Sequence, residues 1–247
     1  MTSGAPGSAT IGKGGDLRRR VLSALVLGAV TLLATFFGGF VFRLFATVLA
    51  ALVFREWTAM CPAATRVQGV LARVALGAAL GVMLAGVSAP FTFMVLGLAF
   101  LAILLLSVRS GGVWTAWGIV YAGLPAMALS HLRGSDESGL KAILYLYAVV
   151  WATDVLAYFT GRAFGGRKLA PSISPGKTWS GAIGGAVCGV LAGGLVAWFA
   201  GVTVPFFLIA FLSLALSVVS QAGDLFESAM KRRYGVKDSG ALIPGHG

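Results

Sequence analysis

Long apolar stretches separated by short charged segments run through the whole chain. No Asp, Glu, Lys or Arg occurs in residues 21–42, 74–108 or 178–223. About 20 helical residues cross the hydrocarbon core of a bilayer, so the first stretch accommodates one membrane span and the other two accommodate two spans each. Pro90 and Pro205 lie near the expected breaks within the two longer stretches.

The full pattern predicts an all-α, polytopic transmembrane protein with about eight spans. We divide the chain into a disordered cytoplasmic amino terminus (1–17), amino-terminal transmembrane helices (18–112) and a carboxy-terminal transmembrane region with cytoplasmic loops (113–247), which carries the candidate chemistry. Small residues such as Gly77, Gly81, Gly184 and Gly185 are expected to permit close helix packing. The predicted spans are 21–38, 42–59, 69–87, 90–107, 113–131, 140–159, 179–200 and 204–221.

Composition and charge support this topology. The chain is 58% hydrophobic and only 11% charged, with a mean hydropathy of +0.91, which excludes a water-soluble globule or a disordered chain. With the amino terminus in the cytoplasm, sixteen of the 19 Lys and Arg residues fall on the cytoplasmic side; Arg43, Arg133 and Lys141 fall outside. The positive-inside rule therefore predicts a cytoplasmic amino terminus, and the net charge of +11 indicates membrane topology rather than nucleic-acid binding.

A carboxylate interrupts the sixth predicted span. Asp154 lies near the cytoplasmic end of this apolar segment, and Tyr158 follows four residues later on the same helix face. A carboxylate inside a membrane is costly unless it is paired, binds an ion or faces water. We expect a buried functional group here; a structural salt bridge to Arg162 or Arg167 is the alternative.

The cytoplasmic loop 161–180 combines cations with hydroxyl groups. Ser174, Lys177 and Thr178 lie where the next helix is predicted to start, and free amides at a helix start attract phosphate. The alternative interpretation is that these cations only flank a membrane span, as the positive-inside rule predicts.

The segment from Ser220 onwards places acids beside cations. In a helix, Asp224, Glu227 and Lys231 share one face, with Ser228 and Arg232 alongside. Oxygen ligands beside several cations are the components of a Mg²⁺–triphosphate site. A basic helix that binds anionic lipid is the alternative.

All three places fall at the same predicted membrane boundary. This arrangement suits chemistry between a lipid phosphate and a soluble nucleotide, with the active site at the cytoplasmic boundary. A transporter would need polar residues on several spans, and the first five predicted spans contain almost none.

Three motifs resemble those of the phosphatidate cytidylyltransferases, also called CDP-diacylglycerol synthases. The longest is the tail from Ser228-Ala-Met-Lys-Arg to Lys237-Asp238-Ser-Gly-Ala-Leu-Ile-Pro-Gly-His-Gly247. The other two are the segment from Asp154 to Gly165, with Tyr158 and Arg162, and the segment Ser174-Pro-Gly-Lys-Thr-Trp179. Ser180 departs from the family pattern, which has Glu or Gln after Lys-Thr-Trp.

The resemblance implies transfer of a cytidylyl group from CTP to phosphatidate, giving CDP-diacylglycerol and pyrophosphate. It also implies Mg²⁺ with a possible second cation, a multi-pass location in the inner cell membrane and a possible homodimer, with no nucleic-acid partner. Metal contacts are expected from Asp224 and Asp238, with Glu227 and Asp154 as further candidates, and Asp224, Lys231 and Asp238 form the expected catalytic set. The substrate-binding residues implied are Arg162, Ser174, Lys177, Thr178, Ser228, Lys231, Arg232, Lys237 and His246.

The family pattern continues past His-Gly with another glycine, an Asp-Arg-x-Asp motif and a last membrane helix, whereas this sequence stops at Gly247. We therefore expect either a fragment of a longer protein or an impaired one. Two further alternatives stay open: a truncated, non-catalytic homologue, and a related enzyme that cytidylylates another lipid phosphate.

Overall fold

Eight α-helices form the described part of the protein, in a computed structural model that describes residues 13–236. Six of these helices, α3 to α8, are long and apolar enough to cross a membrane. The all-α, polytopic class predicted from the sequence is confirmed. The helices are α1 (Lys13–Phe37), α2 (Gly39–Met60), α3 (Arg66–Leu84), α4 (Ala89–Ser110), α5 (Val113–Arg133), α6 (Glu137–Phe164), α7 (Trp179–Phe199) and α8 (Phe206–Arg233).

Each predicted span coincides with one helix, but three helices extend well beyond the predicted boundaries. Helix α1 begins at Lys13, inside the segment expected to be disordered. Helices α6 and α8 continue through polar residues as far as Phe164 and Arg233. Charged residues can follow a membrane span without ending the helix. The first charged residue after an apolar stretch therefore indicates the end of the span and not the end of the helix. Helix α6 stops where Gly165 adopts a positive φ of 60°.

Helices α2 to α5 enclose an apolar core. Its buried members are small or flexible side chains such as Ala72, Leu76, Ile119 and Met127. Helix α5 contributes several of these residues, so it packs with the amino-terminal helices although it was predicted to belong to the carboxy-terminal region.

Helices α6 and α7 pack through a stripe of glycines. The buried residues of α7 include Gly181, Gly185, Gly189 and Gly193, which recur every four residues on one face. A Cβ added at Gly185 would lie 2.6 Å from the carbonyl oxygen of Thr153 on α6, so only glycine permits this approach.

The expectation about small residues is confirmed for Gly184 and Gly185 and is wrong for Gly77 and Gly81. A Cβ added at either of the latter two would meet nothing within 4 Å. These two glycines face open space rather than a neighbouring helix, so they permit no close contact.

A short antiparallel hairpin replaces the loop expected between α6 and α7. Strand β1 (Lys168–Ala170) pairs with β2 (Ser174–Thr178), with Lys168 opposite Thr178 and Ala170 opposite Ser174. Thr178 ends β2 and caps α7, because its hydroxyl oxygen accepts a hydrogen bond from the amide of Gly181 at 3.1 Å. The hairpin therefore leads directly into α7 and lies beside the last turns of α6 and α8.

Candidate active site at one end of the helix bundle

A polar cavity of about 560 Å³ lies between the end of α6, the hairpin, the start of α7 and α8. It contains five of the predicted site residues, which come from three elements, α6, β2 and α8. The hairpin carries Lys177 across to α8, and the glycine stripe holds the start of α7 against α6. The five residues are Asp154, Arg162, Lys177, Thr178 and Asp224.

An ion pair joins β2 to α8 across this cavity. The Lys177 Nζ atom lies 2.8 Å from the Asp224 Oδ2 atom, and the two side chains are 32% and 49% exposed. Such a pair is partly screened by solvent and contributes little to stability. Both groups are therefore accessible to a ligand that enters the cavity.

Asp154 supplies a second carboxylate at the same place. It is close to the hydroxyl of Ser220 and within electrostatic range of both Asp224 and Lys177. The expectation that Asp154 is buried is wrong: its side chain is exposed in the cavity wall. The alternative of a salt bridge to Arg162 or Arg167 is also not observed, since Asp154 forms no ion pair within residues 21–236.

The cavity wall contributed by α6 carries a guanidinium group. Arg162 Nη1 donates a hydrogen bond to the hydroxyl of Tyr158 at 3.0 Å, one helical turn earlier. Both residues line the cavity. The spacing of four residues noted in the sequence between Asp154 and Tyr158 thus continues to Arg162 and brings all three to one face.

Ser174 and Lys177, expected at the start of a helix, lie instead on strand β2. Only Thr178 has the expected position, and it is 6% exposed with its side chain engaged in the cap. Phosphate recognition by this segment would therefore depend mainly on the Lys177 ammonium group, which the strand places in the cavity, while Ser174 does not line it.

The other predicted residues of α8 lie outside the cavity wall. Glu227 forms an ion pair with Lys231 at 2.8 Å, so it does not join Asp224 and Asp154. Arg232 Nε donates to the carbonyl oxygen of Ile173 in the hairpin turn at 3.3 Å, and Ser228 is half-buried. Helix α8 thus contacts the hairpin twice, through Arg232 at the hairpin turn and through Asp224 in the ion pair with Lys177. The predicted residues Lys237, Asp238 and His246 lie outside the described residues.

The cavity wall also contains two polar residues that were not predicted as site residues, Lys168 and Gln221. Lys168 was counted only as a topology charge, yet it lines the cavity from β1. Gln221 lies one turn before Asp224 and donates from Nε2 to the carbonyl oxygen of Ala182 on α7, at 3.2 Å. A polar residue at the end of a long apolar segment was the available signal for Gln221.

The two carboxylates of the cavity wall, Asp154 and Asp224, suit a hard cation that also binds a ligand. Within the described residues no group of three or more Asp, Glu, His or Cys side chains comes together. Mg²⁺ commonly binds through only one or two carboxylates and completes its coordination with water and substrate phosphates. Asp154 and Asp224, facing one open cavity, fit this mode, which needs no complete protein cage.

A second, apolar cavity of about 680 Å³ adjoins the polar one along α7 and α8. The two cavities share Leu169, Ala182 and Gln221. The apolar cavity continues between the two helices past residues such as Ile183, Val187 and Leu214. A molecule with a charged head and an apolar tail would find both environments at this point.

Comparison with known proteins defines the class. A model of the cytidylyltransferase family matches residues 18–247, and the chain belongs to this family.

Individual relatives carry a more specific name. A phosphatidate cytidylyltransferase of Brucella melitensis is 47% identical over 242 residues, which cover 94% of this chain and 86% of the relative. One of Haemophilus influenzae is 35% identical over 271 residues, covering 94% and 91%. One of Bacillus subtilis is 43% identical over 128 residues, covering 52% and 48%.

Proposed function

We propose that this protein transfers the cytidylyl group of CTP to phosphatidate, forming CDP-diacylglycerol and pyrophosphate. The observation that carries this proposal is the polar cavity, in which two carboxylates and an ammonium group from separate elements face one space beside an apolar groove. Membership in the cytidylyltransferase family and the names of the relatives support the nucleotide and the lipid.

Asp154 and Asp224 are the proposed Mg²⁺ ligands. When bound, the cation would neutralise phosphate oxygens of CTP and orient the nucleotide. Lys177, released from Asp224, would then be free to contact a phosphate group. The roles of Glu227 and Asp238 as further ligands, and a second cation, remain proposals from the resemblance.

Cations of this chain would stabilise the charge that develops on the phosphates. Lys177 and Arg162 line the cavity directly, and Lys168 is a further candidate from the structure. A phosphatidate oxygen, already anionic at neutral pH, attacks the α-phosphorus of CTP; the new P–O bond forms as the bond to the β-phosphate breaks and pyrophosphate leaves. Because no covalent enzyme nucleophile is needed, alignment and charge neutralisation are the protein's task.

The remaining predicted residues would act from the rim of the cavity. Lys231 and Arg232 belong to the last turns of α8 and would hold phosphates only after leaving their present partners, Glu227 and the Ile173 carbonyl. Ser174 and Ser228 would bind substrate from β2 and α8. Lys237 and His246 keep their proposed substrate-binding roles from the resemblance.

The apolar groove between α7 and α8 is the proposed site of the lipid chains. Its shared boundary with the polar cavity would place the phosphate of phosphatidate near Lys177 while the acyl chains stay in an apolar environment. A location in the inner cell membrane with a cytoplasmic amino terminus, and a homodimer, complete the proposal; the distribution of basic residues supports the orientation.

Asp224→Asn tests the assignment. Loss of the carboxylate charge should remove a cation ligand and abolish pyrophosphate release from CTP, while the purified variant stays monodisperse in detergent. Glu137→Gln, at the opposite end of α6 and also in an ion pair, is the matched control and should retain activity. Near-normal turnover of Asp224→Asn would remove Asp224 from the site.

A further inference from the structure

Helix α8 presents two different faces over the same turns. Asp224 lies on the face toward the cavity and Lys177. Phe226, Met230 and Arg233 recur at spacings of four and three residues, which places them together on the opposite side of the helix. This second face contacts α2 and α5, and the proposed mechanism does not use it.

Trp57 of α2 is the centre of that contact. Its side chain is only 4% exposed, and its indole Nε1 donates to the carbonyl oxygen of Trp114 at 2.7 Å. Its ring stacks on Phe226 of α8, with centroids 6.4 Å apart and planes inclined by 16°. The ring also lies 4.7 Å from that of Tyr121 on α5.

Helix α5 is shaped around the Trp57 indole, and its neighbour Trp114 makes a further contact with the end of α8. A Cβ at Gly118 of α5 would lie 2.4 Å from Trp57 Cδ1, so the ring occupies space that any larger residue would fill. The Arg233 guanidinium, at the end of α8, lies 5.0 Å from the centre of the Trp114 ring. We call Trp57, Trp114, Tyr121 and Phe226 the aromatic anchor.

The end of α8 has little other support from buried side chains. The buried residues of this helix are Ser213, Ser217 and Met230, and of these only Met230 lies beyond Asp224. Met230 packs with Trp57 and Cys61 in one buried cluster. The position of the last turns of α8 therefore depends strongly on the anchor.

We propose that Trp57 is a positioning residue for the reaction: through the aromatic anchor it fixes the end of α8 and thereby the placement of the Asp224 carboxylate opposite Asp154 and Lys177. Trp57 itself does not line the cavity. This inference rests on the proposed function for its catalytic consequence, whereas its structural consequence is independent of it.

Trp57→Ala tests the proposal against a matched control. Phe54 lies on the same helix, is 3% exposed, and packs in the core of α2 to α5, a cluster that includes no residue of α8. Misplacement of a reacting group by about 1 Å can cost about a hundredfold in rate, so we expect Trp57→Ala to lower kcat by at least about tenfold beyond Phe54→Ala. Trp57→Phe keeps an aromatic ring and should restore kcat to within about threefold of wild type.

Hydrogen–deuterium exchange supplies a readout that does not require turnover. Amides of residues 224–233 should exchange faster in Trp57→Ala than in the wild type, and at the wild-type rate in Phe54→Ala. Should Trp57→Ala fail to fold, Phe226→Ala removes the α8 side of the anchor at a position that is 43% exposed and should give the same exchange pattern. Equal exchange of these amides in the anchor variants and the wild type would overturn the proposal, as would equal losses of kcat in Trp57→Ala and Phe54→Ala.

Discussion

Replacement of Lys177 by methionine should separate activity from stability. The ion pair of Lys177 with Asp224 is 2.8 Å long, but its side chains are 32% and 49% exposed. A solvent-screened pair of this kind contributes about 0–1 kcal/mol, so Lys177→Met should shift the thermal midpoint by no more than about 4 °C. If Lys177 instead serves to stabilise charge on the transferring phosphate, its loss should lower kcat about 10²–10³-fold, the cost of removing one such donor.

The matched control is Lys141→Met. Lys141 also forms a 2.8 Å ion pair, with Glu137 at the other end of α6, and its side chain is 47% exposed. The two variants, purified in the same detergent, would be compared by thermal unfolding and by pyrophosphate release from CTP. Lys141→Met should change neither value appreciably. Retained activity in Lys177→Met, or a loss of activity explained by a large drop in its thermal midpoint, would refute the assigned role.

Two further predictions concern packing and pH. Gly185→Ala should destabilise the protein by about 1–3 kcal/mol, because its Cβ would lie 2.6 Å from the Thr153 carbonyl oxygen. Gly77→Ala, whose Cβ would meet nothing within 4 Å, should be neutral or mildly stabilising. Equal thermal midpoints of the two variants would contradict this prediction. Burial, together with a hydrogen bond to Cys61, raises the pKa of Tyr234 to about 12 from 10, so the folded state holds the phenol proton more tightly than the unfolded chain. That contribution to stability is complete below pH 10 and is lost between pH 10 and about 12. Tyr234→Phe should remove this pH dependence. If the thermal midpoints of the variant and the wild type fell equally between pH 10 and about 12, the prediction would be wrong.

The sequence predicted the architecture well because hydropathy has direct structural meaning in a membrane. All eight predicted spans coincide with helices, and the positions of Asp154, Lys177 and Asp224 along the chain correctly indicated one shared end of the bundle. The helix ends were less predictable, because polar residues that leave the bilayer can continue a helix, as the last turns of α8 do.

The local geometry of the site was harder to predict. The turn at residues 171–173 folds the loop into a hairpin, which moved Ser174 and Lys177 from an expected helix start onto a strand. Spacing placed Asp224, Glu227 and Lys231 on one helix face, and in the structure Glu227 forms an i, i+4 ion pair with Lys231 within α8. Asp224 instead pairs with Lys177 of β2, a contact between elements that helical periodicity does not specify.

The role of Trp57 illustrates the same limit. An aromatic residue near the end of an apolar span does not by itself indicate which other helices it contacts. Its connection to the site appears only when α2, α5 and α8 are assembled around one indole ring.

Transfer of label from CTP into lipid is the most direct test of cytidylyl transfer to phosphatidate. The purified chain would be incubated with phosphatidate, Mg²⁺ and CTP radiolabelled at either the α- or the γ-phosphate, and the lipid would then be extracted into organic solvent. The lipid should be labelled from the α-phosphate alone, in a reaction that requires phosphatidate, stops with EDTA and is absent in Asp224→Asn. A folded chain that leaves the lipid unlabelled, or that labels it from the γ-phosphate, would contradict cytidylyl transfer by this protein.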